Sequence, residues 1–386
     1  MTIKKRAFIA GVYEHPRREI SDRSIAQVHA EVALGALADA GLSLSDVDAY
    51  FCDSTAGFGP LSMVEYLGLH PRHVDSTETG GSSYVVHVGH AAAAIAAGQC
   101  QVALLTLAGL PRSGRMRGGP AGGGPESSFE AMWGMAGAVT SYALAAQRHM
   151  FEFGTTSAQL AEVKVAASLH AQHNPRAFLQ TPITVEEVLA SPMISSPLHR
   201  DDCCVVTDGG GACVVVSPEV ARDLPRRSVT ILGHAETVKH ADNGRIDIVS
   251  TGARTTGPLA MAEAGVSPGD IDYASIYDSF TITVIETLED LGFCEKGQGG
   301  RFVLDGNLVA PHGKLPFNTD GGGLCNNHPS NRGGMTKVIE AVRQLRGEAH
   351  PAVQVPDCEI ALAHGTGGSI GTRHGSSTVI LGREDA

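Results

Sequence analysis

The sequence predicts an α/β fold in layers, made of two halves that repeat one strand–helix plan. The first observation is an internal repeat: residues 36–48 match residues 260–272 at a constant offset of 224, with seven of thirteen positions identical. The second is that each half carries a glycine-bearing turn, near residues 80 and 321, directly before an apolar helix. One half alone would leave the faces of its sheet uncovered, so we expect two halves packed together.

The first elements follow from hydrophobic spacing. Residues 6–12 form an apolar strand. Residues 24–40 carry apolar side chains at helical spacing and end at Gly41, which suits a left-handed helix cap. Residues 47–52 are the next strand, and a short helix covers residues 63–67.

A polar turn at residues 75–84 opens into the most apolar helix of the chain. That helix, residues 85–97, is apolar on every side, which predicts a buried position. Gly98 ends it, and residues 101–107 form a strand suited to the centre of a sheet.

Residues 108–200 depart from this plan and form an excursion with its own helices. A strand entered through glycines at residues 208–216 completes the first half, which we place at residues 1–226. The second half, residues 227–386, opens with the strand 228–232. Its later elements are a glycine-rich segment, a helix at residues 335–345 and a strand at residues 360–363.

Composition excludes several classes of function. A net charge of −12 argues against a general nucleic-acid binder, which needs a basic face. No apolar run approaches about 20 residues, so we expect no membrane span. The eight cysteines show neither CxxC nor zinc spacing, which predicts reduced thiols, a cytoplasmic location and no metal site.

The segment at residues 315–334 is the strongest local signal. Three glycines at positions 321–323 precede the pair His328-Pro329, and two more glycines follow before the helix. Glycines in this number permit a close approach of backbone or ligand. A simpler interpretation is a glycine-rich turn with an exposed His328. The repeat brings the two glycine-turn helices together, and their N-termini suit an anionic oxygen.

The doubled plan and the spacing Asn318-x-x-Gly-Gly…His328-Pro329 resemble the thiolase superfamily, in particular its sterol-carrier-protein-type members. The resemblance implies an αβαβα layered fold with two βαβαβ halves related by a pseudo-twofold axis. It implies a coenzyme A thioester as substrate, no tightly bound cofactor and a homodimer. It also implies a partner protein with an OB-fold and a zinc ribbon, as several thiolase-like proteins have.

The chain departs from three of the four thiolase active-site elements. The position of the nucleophilic cysteine falls on Gly81, next to Ser82. The second element reads Tyr277-Asp-Ser-Phe, the third keeps its histidine as His328, and the second cysteine of the family falls on His364.

A thiolase needs a thiolate to carry the acyl group between two half-reactions. Without it, the surviving groups suit retro-aldol cleavage of a β-hydroxyacyl-coenzyme A, which needs no covalent intermediate. Tyr277 or His364 is then the base, and His328 is the candidate donor to the enolate. Alternatively, Ser82 caps a helix, Tyr277 is a core residue and His364 has a structural hydrogen-bonding role.

Arg112 and Arg115 are candidates for the phosphates of coenzyme A, unless they lie in a solvated loop. Gly367 and Gly368, in a turn that we predict at residues 364–368, are further candidates for contact with coenzyme A. Two other functions stay open. One is an acyltransferase that uses Ser82 or a group supplied by a partner, and the other is a non-catalytic scaffold that binds acyl-coenzyme A.

Overall fold

The computed structural model describes residues 2–114, 125–135, 137–240, 245–329 and 333–384. It shows a layered α/β fold whose main sheet has nine strands. The strands are β1 Phe8–Glu14, β2 Ala49–Phe51, β3 His73–Asp75, β4 Val102–Gly109, β5 Met193–Ser195, β6 Leu198–His199, β7 Gly209–Val216, β8 Val229–Lys239, β9 Tyr273–Ile276, β10 Ile360–Ser369 and β11 Thr372–Gly382.

The α-helices lie between and outside these strands. They are α1 Ile25–Ala40, α2 Pro60–Leu67, α3 Ser83–Ala96, α4 Pro125–Met132, α5 Ala138–Phe153, α6 Ser157–Ala171, α7 Val185–Ala190, α8 Pro218–Asp223, α9 Ala253–Ala264, α10 Thr281–Asp290, α11 Gly299–Phe302 and α12 Gly334–Arg346. Among the described residues, none of these helices combines the length and apolarity that crossing a membrane requires.

The main sheet has the strand order β3-β2-β4-β7-β1-β8-β11-β10-β9. Strands before residue 226 therefore lie on one side and strands after it on the other, joined by a short antiparallel contact between β1 and β8. The division into two halves at residue 226 stays a prediction.

Three apolar cores define the layers. Helix α1 packs on the outer face of the first-half strands, and α5, α6, α9 and α10 pack on the outer face of β9–β11. The third core places α3 and α12 side by side between the strands of the two halves. This is the αβαβα layering that the resemblance implies.

The internal repeat is visible in the backbone. Helices α1 and α9 end at Gly41 and Gly265, both left-handed with a φ of 74°. A short 3-10 turn follows in each half, and its Asp46 or Asp270 carboxylate accepts the amide of Ser43 or Ser267 at 2.8 Å. The strands β2 and β9 begin three residues after these turns, so the predicted repeat is confirmed.

The predicted turn at residues 364–368 is wrong. These residues lie within β10 and pair with β11, from His364 opposite Thr378 to Gly368 opposite His374. Gly367 instead allows β10 to approach the turn before α3 closely, since a Cβ on Gly367 would lie 2.1 Å from the Thr79 carbonyl oxygen.

Candidate active site

The candidate site centres on a tyrosine and a histidine that are 51 positions apart in sequence. The Tyr277 hydroxyl lies 2.8 Å from Nε2 of His328, and the two rings meet edge to face with centroids 5.5 Å apart. Tyr277 directly follows β9, where its amide donates to the His364 carbonyl at 2.9 Å. In one tautomer of His328, Nε2 accepts a hydrogen bond from the Tyr277 hydroxyl. In that state the phenol proton can move to the imidazole.

The glycine-rich segment carries His328 to Tyr277. Asn318 anchors its start, because the Asn318 side chain bonds both the amide and the carbonyl of Ile276 at 2.9 and 2.8 Å. Gly321 and Gly322 then adopt φ values of 96° and 60° and lead into a single π-helical turn, Gly322–Asn326. Positive φ at two consecutive residues is what requires glycine at these positions.

A chain of buried hydrogen bonds positions the backbone of His328. Its amide donates to Thr207 Oγ1 at 2.9 Å, and Thr207 donates to Asn327 Oδ1 at 2.8 Å. Asn327 Nδ2 in turn donates to Glu14 at 3.0 Å, and Glu14 pairs with Arg18 at 2.7 Å. No local sequence signal pointed to Thr207 or Glu14, because both reach the site only through tertiary packing.

Two helix N-termini converge on the Tyr277 ring. A Cβ on Gly81, just before α3, would lie 2.6 Å from the ring. A Cβ on Gly333, just before α12, would lie 2.9 Å from it. The expected meeting of the two glycine-turn helices is therefore confirmed. Helix N-termini carry partial positive charge and favour an anionic oxygen between them.

There is no room for a side chain at Gly81, where the resemblance to thiolases predicts the position of the nucleophile. A Cβ on Gly81 would lie 2.2 Å from the Thr366 carbonyl oxygen, so no side chain fits there without a backbone shift. The neighbouring Ser82 donates its hydroxyl to Thr79, at 2.8 Å to the carbonyl and 3.0 Å to Oγ1. Ser82 thus secures the turn before α3, and no base among the described residues bonds its hydroxyl.

The described cysteines are also poor nucleophiles. All eight are free thiols. Burial raises the pKa of Cys203 and of Cys358 to about 12, and it also raises the pKa of Cys325 in the glycine-rich segment. Protonated, buried thiols react slowly.

His364 is placed apart from the Tyr277–His328 pair. On β10 its neighbour Gly365 faces the turn before α3, and successive strand residues point to opposite faces. The His364 imidazole therefore points to the outer face, where Nδ1 lies 2.8 Å from Thr378 Oγ1. Burial lowers the pKa of His364 to about 3. Of the two candidate bases, the structure brings only Tyr277 to His328.

A buried ion pair lies beneath the site. Lys337 Nζ is 2.9 Å from Asp278 Oδ1, and both side chains are almost fully buried. Asp278 also accepts the amides of Gly323 and Leu324 at 2.7 and 3.1 Å. Burial, together with the Lys337 charge, lowers the pKa of His328 to about 4, so its imidazole is neutral at physiological pH. Sequence reasoning missed Lys337, although a lysine between Met335 and Val338 of an apolar helix was a usable signal.

The predicted coenzyme A contacts have mixed placements. The Arg112 guanidinium lies over the Phe178 ring at 4.5 Å and also contacts Glu19 at 3.3 Å. Arg115 lies outside the described residues. Gly367 packs against the turn at residues 79–81, whereas Gly368 is exposed at the end of β10 with a φ of 79°.

Sequence comparison links the chain to known proteins. Residues 235–383 match the thiolase C-terminal domain-like family. An acetyl-CoA acetyltransferase of Methanothermobacter thermautotrophicus is 33% identical over 94% of this chain and 97% of its own. A steroid side-chain-cleaving aldolase of Thermomonospora curvata is 37% identical over 88% of this chain and 90% of its own.

Structural comparison agrees with the sequence relatives. A solved structure described as the Ltp2-ChsH2(DUF35) aldolase superposes with a TM-score of 0.89 at 34% identity, and it covers 99% of both chains. Identity above 30% over nearly the whole length, for both a sequence relative and a solved structure, shows the family. The chain belongs to the thiolase superfamily.

Proposed function

We propose that this protein is a lyase that cleaves a β-hydroxyacyl-coenzyme A by a retro-aldol reaction, without a covalent intermediate. One observation carries the proposal. At Gly81, where thiolases hold their nucleophile, the space is closed by the Thr366 carbonyl and by a tyrosine ring whose hydroxyl bonds His328. A superfamily member without the thiolate needs chemistry that general acid–base groups can perform alone.

In the proposed reaction Tyr277 removes the proton from the β-hydroxyl of the substrate while its own proton moves to Nε2 of His328. The electrons of the O–H bond form the new carbonyl, and the bond between the α and β carbons breaks. Its electron pair becomes the thioester enolate, and the proton then returns from the dyad to the α carbon. The N-termini of α3 and α12 supply positive potential for the enolate oxygen.

This assignment changes two roles that we expected from the sequence. His328 serves as the proton acceptor of Tyr277 rather than as the direct enolate donor, because its Nε2 faces the phenol at 2.8 Å. His364 has no role as a base, since its imidazole lies on the other face of β10.

For the acyl group, we propose a bulky, steroid-type thioester. The aldolase relative of T. curvata is named for steroid side-chain cleavage and is 37% identical to this chain over 357 aligned residues. Arg112, on the Phe178 ring, is a candidate contact for the nucleotide part of coenzyme A.

We further propose that two copies of this chain form a homodimer, and that the dimer works together with a different partner protein. A solved aldolase that superposes on this chain with a TM-score of 0.89 carries two component names, Ltp2 and ChsH2(DUF35). An OB-fold and zinc-ribbon protein is the kind of partner that we propose for this chain. We also propose that the protein is located in the cytoplasm.

An acyltransferase is the second candidate, because the acetyl-CoA acetyltransferase relative matches 94% of this chain. The two functions differ in one reactant: acyl transfer to coenzyme A consumes free coenzyme A, whereas retro-aldol cleavage does not.

The test measures product release from a steroid-type β-hydroxyacyl-coenzyme A with the protein alone and with its copurifying partner. We expect ketone or aldehyde and a shortened acyl-coenzyme A in equal amounts, at a rate independent of free coenzyme A. A strict requirement for free coenzyme A would establish the acyltransferase instead. If neither retro-aldol cleavage nor acyl transfer to coenzyme A occurs with the partner present, the protein would instead be a non-catalytic scaffold that binds acyl-coenzyme A.

A further inference from the structure

We propose that Lys164 is a positioning residue for the candidate site. Its buried amine binds the carbonyl of Leu324 and thereby keeps the backbone of His328 in place. The inference rests on the proposed lyase reaction for its effect on the rate, whereas its structural content can be tested without turnover. Lys164 lies on α6 in the excursion, outside the four thiolase elements, and the proposed reaction does not use it.

The burial of Lys164 is unusual for a lysine. Its side chain is 2% exposed, and its Nζ donates to the carbonyl oxygen of Leu324 at 2.7 Å. Among the residues that the structure describes, no carboxylate forms an ion pair with this Nζ. Because lysines are almost never fully buried unless they are paired, the contact with the carbonyl needs a physical explanation.

The carbonyl of Leu324 has no donor within its own turn. In an α-helical or π-helical turn the amide four or five residues later would bond it. The amide four residues later belongs to His328 and donates to Thr207 Oγ1 at 2.9 Å instead. The residue five positions later is Pro329, which has no amide hydrogen. A buried carbonyl without a partner is costly, so Lys164 supplies the donor that the turn lacks.

Other carbonyls of the glycine-rich segment also depend on the excursion. The carbonyls of Cys325 and Asn326 accept the amides of Leu179 and Phe178 at 2.9 and 3.2 Å. The Cβ of Ala171, at the end of α6, would lie 2.7 Å from a Cβ placed on the glycine that precedes the π-helical turn. Helix α6 and the residues after it therefore hold one side of the glycine-rich segment.

Lys164 decides which acceptor the amide of His328 uses. By sequence position an α-helical turn would give this amide to the Leu324 carbonyl, but the amide lies on Thr207. With Nζ on the carbonyl, nothing is gained by moving the amide, and the imidazole meets the Tyr277 hydroxyl at 2.8 Å. Without Nζ, the unpaired carbonyl draws the amide into a tighter turn, and the imidazole moves with its backbone.

The experiment replaces Lys164 by methionine, which has a similar length and shape but no donor. In the crystal structure of the Lys164→Met variant we expect the Leu324 carbonyl to accept the His328 amide. We also expect the Tyr277 hydroxyl and His328 Nε2 to lie beyond hydrogen-bond distance.

The kinetic test uses cleavage of the β-hydroxyacyl-coenzyme A. We expect kcat of Lys164→Met to fall by about 10- to 100-fold with KM little changed, because a misplaced dyad weakens the transition state and not substrate binding. Circular dichroism and urea unfolding measure the folded fraction, to which kcat is normalised. Lys164→Gln replaces the methionine variant if that variant does not fold. Its amide nitrogen is one bond closer to the backbone than Nζ, and the same shift of His328 is expected.

Lys314→Met is the matched control, since Lys314 is an exposed lysine outside the site. It is expected to keep the wild-type structure and kinetics. A folded Lys164 variant in which Tyr277 and His328 keep their hydrogen bond would overturn the inference, and so would a wild-type kcat in that variant. If the wild-type protein proves not to be a lyase, the variant structure still decides whether Lys164 positions His328.

Discussion

At the scale of single residues, the candidate site is explained by one change of side chains: a glycine at position 81 makes room for the ring of Tyr277. In the proposed alignment with thiolases, Gly81 takes the position of their nucleophilic cysteine, and Tyr277 fills the space beside it. A glycine is required because its Cβ would collide with the Thr366 carbonyl. In the proposed reaction, the Tyr277 phenol in hydrogen-bond contact with His328 then takes over from the sulfur nucleophile.

Tyr277→Phe tests this change most simply. The substitution keeps the ring that fills the space beside Gly81 but removes the hydroxyl that bonds His328. We expect kcat for β-hydroxyacyl-coenzyme A cleavage to fall by about 100-fold or more, with KM little changed, because a general base acts in the transition state. Steady-state kinetics by coenzyme A-ester chromatography give both parameters.

The control for that measurement is Tyr66→Phe, an exposed tyrosine on α2. It removes the same atom outside the site and is expected to keep wild-type kinetics. A Tyr277→Phe variant that folds and keeps its full rate would rule out the phenol as the base.

At the scale of elements, the glycine-rich segment and α12 depend on a buried carboxylate from the N-terminal strand. Glu14 at the end of β1 bonds Asn327, which precedes His328. Burial on its own would raise the pKa of Glu14, but the charges of Arg18 and Arg343 outweigh it and lower the pKa to about 2. Glu14 thus ties β1 to the segment as an ionised group.

Glu14→Gln is expected to lower the free energy of unfolding and to change its dependence on pH. A carboxylate whose folded pKa is depressed stabilises the fold above the unfolded value of 4.5, and this contribution is lost as pH falls through about 2. The contribution is at most about 3 kcal/mol at neutral pH. Urea unfolding at pH 7, 5 and 3 measures it.

In this series the wild type loses stability between pH 5 and 3, whereas the Glu14→Gln variant has a flatter profile. Glu65→Gln, an exposed glutamate on α2, serves as the control and keeps the wild-type profile. Parallel profiles for Glu14→Gln and the wild type would contradict the ionised state of Glu14.

The elements also show where sequence reasoning works and where it fails. Hydrophobic spacing and helix-ending glycines placed α1, α3 and α12 close to their observed bounds. The glycines at residues 365–368 suggested a turn, but pairing with β11 overrides that local preference. Because the strand places His364 and Gly365 on opposite faces, the error also misplaced one candidate base.

At the scale of the whole molecule, the site exists because two repeated halves meet at their central helices. The repeat was readable from residues 36–48 and 260–272, since the same turn chemistry recurs in both halves. Sequence reasoning placed Tyr277 and His328 in one site, but their direct hydrogen bond was not readable, because it depends on how the glycine-rich segment folds onto the end of β9. Arg115 and its neighbours lie outside the described residues, so their predicted role stays a prediction.

Gly334→Ala tests this junction. Gly334 begins α12, and its Cβ would lie 2.2 Å from the Gly81 carbonyl oxygen of the other half. We expect the helices to be forced apart at a cost of about 1–3 kcal/mol, measured by urea unfolding, with a matching loss of lyase activity. Gly269→Ala, where the nearest atom lies 3.8 Å from the new Cβ, is expected to change neither. A Gly334→Ala variant with wild-type stability and activity would show that α12 and the turn before α3 are not tightly packed against each other.

The central claim is that the carbon–carbon bond breaks without an acyl-enzyme, and rapid-quench mass spectrometry of the intact protein tests it most directly. Wild-type protein is mixed with excess β-hydroxyacyl-coenzyme A, without free coenzyme A, and quenched in acid within one turnover. The account predicts that ketone and shortened acyl-coenzyme A appear while the protein mass stays unchanged. An acyl adduct on Ser82 or on any cysteine, formed and lost at the rate of turnover, would contradict it.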